Sequence, residues 1–248
     1  MNRFFFPPVL PWRAILAAFV FVGATVPVVH AQKSPAKASP SASADARSSS
    51  SPGRLNLADP KVREQNPEAV AALQDRIKTV ADKVFGRIQT QEIDLYKRFG
   101  YFQKPERLDP TSFASQDEIT PWYKLLDEMK VSRDTVANLY SSADKDLGDS
   151  LSEVKVMGDL AVGIKKELLA SIPWDVVDQK NRLLQDYIDQ HRELLAFYQT
   201  NWGHWSQGST AGKPTFDTPD LTTTYNRLRD RVVNTGTQIQ RDYAKLGQ

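Results

Sequence analysis

The chain has 248 residues, 40% of them hydrophobic and 25% charged, with 32 Lys and Arg against 30 Asp and Glu and no cysteine. That length holds one good core and falls short of two once an exported leader is set aside. The missing cysteines exclude disulfides, thiolate metal sites, a cysteine nucleophile, c-type haem attachment and a lipidated N-terminus, so the fold rests on packing alone.

Residues 1–31 read as a signal peptide. Arg3 and Arg13 supply the positive start, residues 14–29 are apolar but for Gly23, Thr25 and Pro27, and Val29, His30 and Ala31 fit a small-residue cleavage site before Gln32. An apolar core of roughly 16 residues is shorter than the ~20 a spanning helix needs. Cleavage after Ala31 follows, giving a periplasmic or secreted protein with no stable membrane insertion; the alternative is an uncleaved segment that leaves the protein membrane-anchored.

Residues 32–54, QKSPAKASPSASADARSSSSPGR, contain no aromatic residue and no Ile, Leu, Val or Met. They bury nothing that could offset ordering entropy, so residues 32–65 are expected to form a disordered Ser/Ala/Pro-rich linker ahead of a helical domain at 66–248. Residues 1–31 hold two arginines and no acid, which leaves 30 basic and 30 acidic residues after cleavage, and residues 66–248 keep 24 basic against 27 acidic. A mildly acidic body is a poor phosphate binder, which excludes nucleic acid as a partner.

From Asn66 onward the apolar spacing is helical. Helix 1 is expected to take Asn66 as its N-cap and Pro67 as its first residue, to align Val70, Leu73, Ile77, Val80, Val84, Ile88, Leu95 and Phe99, and to stop at Gly100, with Gln91 as the one polar step. A Pro- and Asp-rich loop leads to a short helix near 120–130. Residues 125–139, LLDEMKVSRDTVANL, resemble the helix-turn-helix of bacterial repressors over that stretch alone, with Lys130 where glycine is commonest and no basic flank. They are read as a bend near Ser132 rather than as a DNA contact. From Ser132 an unbroken apolar phase predicts one long helix reaching Ile172 and Pro173, straight through Gly148 and the capping pattern at 150–153. Helix 3 carries Val177, Leu184, Tyr187, Ile188, His191, Leu195, Tyr198 and Trp202. Helix 4 begins at Thr218 and Pro219 and carries Leu221, Tyr225, Leu228, Val232, Thr235, Ile239, Tyr243 and Leu246. No strand is expected.

The fold class is therefore all-α: an antiparallel up-down bundle of four long helices with an extra short helix near 120–130. A tight turn at 172–173 would make helices 2 and 3 antiparallel neighbours and bring both long loops to one end. That end gathers Tyr101, Phe102, Phe113, Trp122, Trp202, Trp205 and Phe216 around His204. These rings either plug the open end of the bundle or form a cleft, with Trp202 expected to be buried and Trp205 partly open.

Catalytic patterns are missing. A di-iron carboxylate centre needs two Glu-x-x-His pairs, whereas the histidines here are His30, His191 and His204. His191 and Met157 fall at different depths, which argues against haem. His191 is instead paired by depth with Gln91 as a buried polar contact that sets helix register. The reading is a protein without cofactor or metal and not an enzyme, most simply a non-catalytic interaction or scaffold protein of the cell envelope with a protein partner. A small-ligand binding or sensing domain using the aromatic end is the alternative. The partner or ligand candidates are Trp205, His204, Trp202, Tyr101, Phe102 and Trp122.

Overall fold

In a computed structural model of the chain, residues 60–208 and 213–246 are described. The signal peptide at 1–31 and the linker as far as residue 59 lie outside them. Residues Pro60–Gln65, expected at the end of the linker, form a short helix, α1. Asn66 does not cap the next helix with its side chain; its Nδ2 donates to the Val62 carbonyl at 2.8 Å and so closes α1.

Helix α2, Pro67–Phe102, starts on a proline whose fixed φ suits the first helical position. Ile77, Val80, Val84, Ile88, Leu95 and Phe99 are buried as the spacing predicts, while Val70 and Leu73 are only half-buried. Gly100 does not stop the helix. The buried polar step in the stripe is Glu92, not Gln91: both 88–91–95 and 88–92–95 keep the three-and-four rhythm, and the packing of α2 turns residue 92 inward and leaves 91 half-buried.

Residues 103–119 form three short 3-10 turns that bury Leu108, Pro110, Phe113 and Ile119. Helix α3, Thr120–Glu153, then runs without interruption through Ser132, so neither a separate short helix nor a bend there is formed. The Ser132 hydroxyl donates to Asp94 of α2 at 3.2 Å instead of capping a helix.

The expected long helix ends at Glu153. Lys155 takes a left-handed φ of 62°, the Val156 N–H bonds to the Leu151 carbonyl at 2.9 Å, and the Lys155 N–H bonds to the Ser152 carbonyl at 3.0 Å. This is a Schellman stop with lysine where glycine is usual, and Val156 and Leu151 are both buried beside it. Helix α4, Gly158–Ala170, turns back along α3, with Lys165 Nζ 2.9 Å from Asp144.

Helix α5, Trp174–Thr200, continues in the same direction as α4. Its Trp174 ring meets Tyr140, Arg133 Nη1 donates to the Asn181 carbonyl at 3.5 Å, Arg192 pairs with Asp127, and the Tyr123 hydroxyl bonds to Gln199. The chain therefore reverses at 154–157. Residues 171–173 interrupt the return instead of reversing it, because Pro173 cannot continue α4.

A two-stranded antiparallel hairpin follows, with β1 at Trp205–Gln207 and β2 at Pro214–Phe216, and Trp205 lies opposite Phe216. No strand was expected here. Gly208 is required beside it, since a Cβ there would sit 2.1 Å from the Lys213 carbonyl oxygen. Helix α6, Pro219–Leu246, runs antiparallel to α5, with Arg231 Nη1 2.6 Å from Glu193. Gly236, not Thr235, occupies the inward step between Val232 and Ile239, and a Cβ there would approach the Tyr187 ring and Gln103 to 3.1 Å. That close approach lets Gln103 Nε2 donate to the Gly236 carbonyl at 3.3 Å and brings Tyr243 against Tyr96, 4.7 Å between ring centroids. Among the described residues no helix is long and apolar enough to cross a membrane.

Candidate functional site

The end of the molecule where α2 stops and α3 begins gathers the expected aromatic residues. Tyr101 and Trp122 stack with centroids 5.5 Å apart and planes 10° from parallel, and Arg107 lays its guanidinium over both rings at 4.7 and 4.1 Å. Trp122 meets Phe113, Phe113 meets Tyr198, Tyr198 meets Trp205, and Trp205 meets both Trp202 and Phe216. Trp122 with Phe113, Trp202 with Trp205 and Trp205 with Phe216 meet edge to face, one of the geometries aromatic pairs prefer, and Tyr198 is tilted against both Phe113 and Trp205, so the row is a connected wall.

The wall has an inner and an outer side. Phe102, Tyr198 and Phe216 are buried, Tyr101 is 37% exposed, and Trp122, Trp202 and Trp205 are half-buried. Trp202 is not buried as expected: α5 ends at Thr200, so Trp202 leaves the helical stripe in the turn that follows. His204 is exposed, with Nδ1 3.0 Å from Asp217 Oδ2, and Gly203 before it takes a φ of 86°. The His204 imidazole thus borders the wall and is not enclosed by it.

Two hydroxyls anchor the loop beneath these rings. Tyr198 of α5 and Tyr225 of α6 donate to the same acceptor, the Leu108 carbonyl, at 3.0 and 2.7 Å. Burial raises both phenols, Tyr225 to about 12, so both stay protonated and keep donating.

Gln91 and His191 are not brought together. Gln91 lies half-buried in a groove with Thr135 and Leu139 of α3. His191 is 1% exposed and meets the rings of Phe102 and Tyr187 at 5.2 and 4.6 Å. Phe102, the last residue of α2, sits at the level of His191, so α5 extends about two and a half turns further and equal counts from the helix ends do not mean equal depth. Burial pushes His191 down to about 3, which leaves it a neutral ring in the core.

The sequence reading missed the main polar feature of the interior. Lys180 Nζ pairs with Glu92 Oε1, and the two side chains are 1% and 9% exposed. The ammonium also lies 5.6 and 5.0 Å from the ring centroids of Tyr140 and Tyr243. Four helices contribute: Glu92 from α2, Tyr140 from α3, Lys180 from α5 and Tyr243 from α6. Both tyrosine hydroxyls lie beside the same Glu92 carboxylate, and neither they nor Glu92 Oε2 make a well-formed hydrogen bond. Desolvation lowers the Lys180 pKa against the opposing pull of Glu92, and burial with the adjacent carboxylate raises both phenols. The available signal was phase: Glu92 and Lys180 both sit on the apolar stripes of their helices.

The chain matches no family model, and neither a curated protein nor a solved structure is significantly similar to it.

Proposed function

We propose that the protein is an exported helical bundle that works without catalysing a reaction, holding a protein partner of the cell envelope at its aromatic end. The observation that carries this reading is the division of the ring wall. Its inner members are fixed by burial and by the shared bond to Leu108, while Tyr101, Trp122, Trp202 and Trp205 remain partly open beside Arg107 and His204. Tyr, Trp and Arg are the residues that dominate binding energy in protein interfaces, because large rigid side chains lose little conformational freedom on contact. A wall already locked in place binds without first having to order itself.

Export rests on the leader at 1–31, so the mature chain is expected to begin at Gln32 and to reside in the periplasm or outside the cell. Nucleic acid does not suit the acidic balance of residues 66–248, and the reading calls for neither metal nor cofactor.

A photo-crosslinking amino acid placed at Tyr101 or Trp205 tests the docking role in the native envelope. The expected result is one dominant protein adduct from both positions, identified by mass spectrometry, and none from Val233, which is 38% exposed on α6. Equal labelling from Val233, or no protein adduct from the aromatic end, overturns the reading. A soluble protein beginning at residue 1 or 2 overturns the export step, and a membrane-bound one retaining residues 1–31 overturns cleavage in favour of the anchored alternative.

A further inference from the structure

The loop after α2 opens with a 3-10 turn, Pro105–Leu108, that brings two cations to one ring. The Arg107 N–H bonds to the Lys104 carbonyl at 2.9 Å, and in so tight a helix residues three apart eclipse one another, so both side chains leave the same side of the turn. Lys104 Nζ stands 5.5 Å from the centroid of Tyr101, and the Arg107 guanidinium covers Tyr101 and Trp122 together at 4.7 and 4.1 Å.

Among the described residues neither cation has a counter-charge. Arg107 Nε is buried without an acceptor, but its two Nη groups are not buried, and no oxygen bonds to them. Lys104 is exposed and forms no ion pair. The acids of residues 103–119 do not serve. Asp109 is turned inward and accepts from the Thr111 N–H and hydroxyl at 2.9 and 2.8 Å, Glu118 accepts from the Ala114 N–H at 3.0 Å, and the exposed Glu106 and Asp117 pair with neither cation. A guanidinium held flat on two rings keeps its open Nη edge in one plane, which suits a planar carboxylate and leaves little rotamer freedom to lose on contact.

We propose that the partner held at the aromatic end presents an acidic segment, with an Asp or Glu carboxylate bonded to the Arg107 Nη groups and Lys104 Nζ beside the Tyr101 and Trp122 rings. This rests on the docking role proposed above and adds the chemistry of the partner. Contact at the rings excludes water from the two cations, which strengthens a bond to a carboxylate and penalises a neutral or basic segment that leaves them unpaired.

Photo-crosslinking in cells from Trp205, at the other end of the ring row, tests the proposal without disturbing the two cations. Lys104→Gln combined with Arg107→Met, which keeps an apolar stem on the rings, should lower the adduct yield about tenfold while thermal unfolding stays near that of the wild type. Lys104→Glu alone, at an exposed position that does not endanger the fold, should lower it several-fold. A crosslinker at Glu106 should join a partner peptide carrying Asp or Glu beside the point of attachment, and changing that acid to Lys should abolish the adduct with the wild type and restore it with the Lys104→Glu, Arg107→Glu variant. Vesicles of phosphatidylglycerol and phosphatidylcholine should not sediment the protein. The proposal is overturned by a wild-type yield from the Lys104→Glu chain, by an attached peptide without an acid, by a charge swap that restores nothing, or by vesicle binding that requires both cations, which would assign them to a lipid surface. A wild-type chain that gives no protein adduct from Trp205 or Tyr101 overturns the docking role itself, whereas an adduct indifferent to both cations leaves that role standing and removes the acidic segment alone.

Discussion

At the loop end of the molecule the buried hydroxyls of Tyr198 and Tyr225 share one carbonyl acceptor, whereas further along the same core those of Tyr140 and Tyr243 lie beside the Glu92 carboxylate without a well-formed bond. The first pair comes from the neighbouring helices α5 and α6, the second from α3 and α6, and all four phenols are buried. The first pair ties a loop to two helices and completes a structure. The second surrounds the Lys180–Glu92 ion pair, of which one carboxylate oxygen is left without a well-formed bond. Burial alone thus does not decide what a tyrosine does; a carbonyl aimed at both hydroxyls ties the first pair down, whereas the second shares with Lys180 a single carboxylate.

Breaking the ion pair gives the largest contrast. Lys180→Met leaves Glu92 buried without its counter-charge and should cost about 3–5 kcal/mol in chemical denaturation, whereas Glu92→Leu combined with Lys180→Met should recover most of that loss. Equal costs for the single and double variants would mean that Glu92 finds another partner.

Acid comes next. Burial depresses His191 to about 3 from an ordinary value near 6.5, so below that ordinary value the unfolded chain takes up the proton first. The stability tied to the neutral ring is present above pH 6.5 and drains as pH falls toward 3, by about 2–3 kcal/mol between pH 6.5 and 4.5. His191→Gln should flatten that slope in denaturant midpoints measured against pH. An unchanged slope would place the acid sensitivity elsewhere.

Tyr198→Phe and Tyr225→Phe should each cost about 1 kcal/mol, and together less than the sum, because both donate to one oxygen. Strict additivity would show that the two bonds are independent. The smallest change sharpens the fold rather than the site: Lys155→Gly removes a side chain from a left-handed φ and should stabilise by about 0.5 kcal/mol, the relief of that strain less the entropy glycine loses on folding.

Much of the helical pattern was legible because the stripes of α2, α5 and α6 follow simple periodicity. Two errors share one cause. After Ile88 and after Val232 a three-or-four step admits either neighbour, Gln91 or Glu92 and Thr235 or Gly236, and only packing against a facing helix decides between them. The missed reversal at 154–157 has another origin. Its stop signal is a lysine in a conformation usually reserved for glycine, and the apolar phase carries across the break because α4 turns back onto the same core. The hairpin escaped notice because three-residue strands are too short to show alternation. The aromatic end was legible as a collection of residues, but the Arg107 stack and the shared Leu108 acceptor depend on loop geometry that spacing does not encode.

The docking role at the aromatic end is tested most directly with Tyr101→Ala. Tyr101 is the most open ring of the wall, 37% exposed, and packs on Trp122, Phe102 and Arg107 from outside. Unfolding of the purified variant, measured alongside photo-crosslinking from Trp205 in cells, should show a stability loss of no more than about 1 kcal/mol together with disappearance of the protein adduct. An adduct that persists at wild-type yield in the folded variant would contradict the account and leave the wall as a plug at the end of the helices.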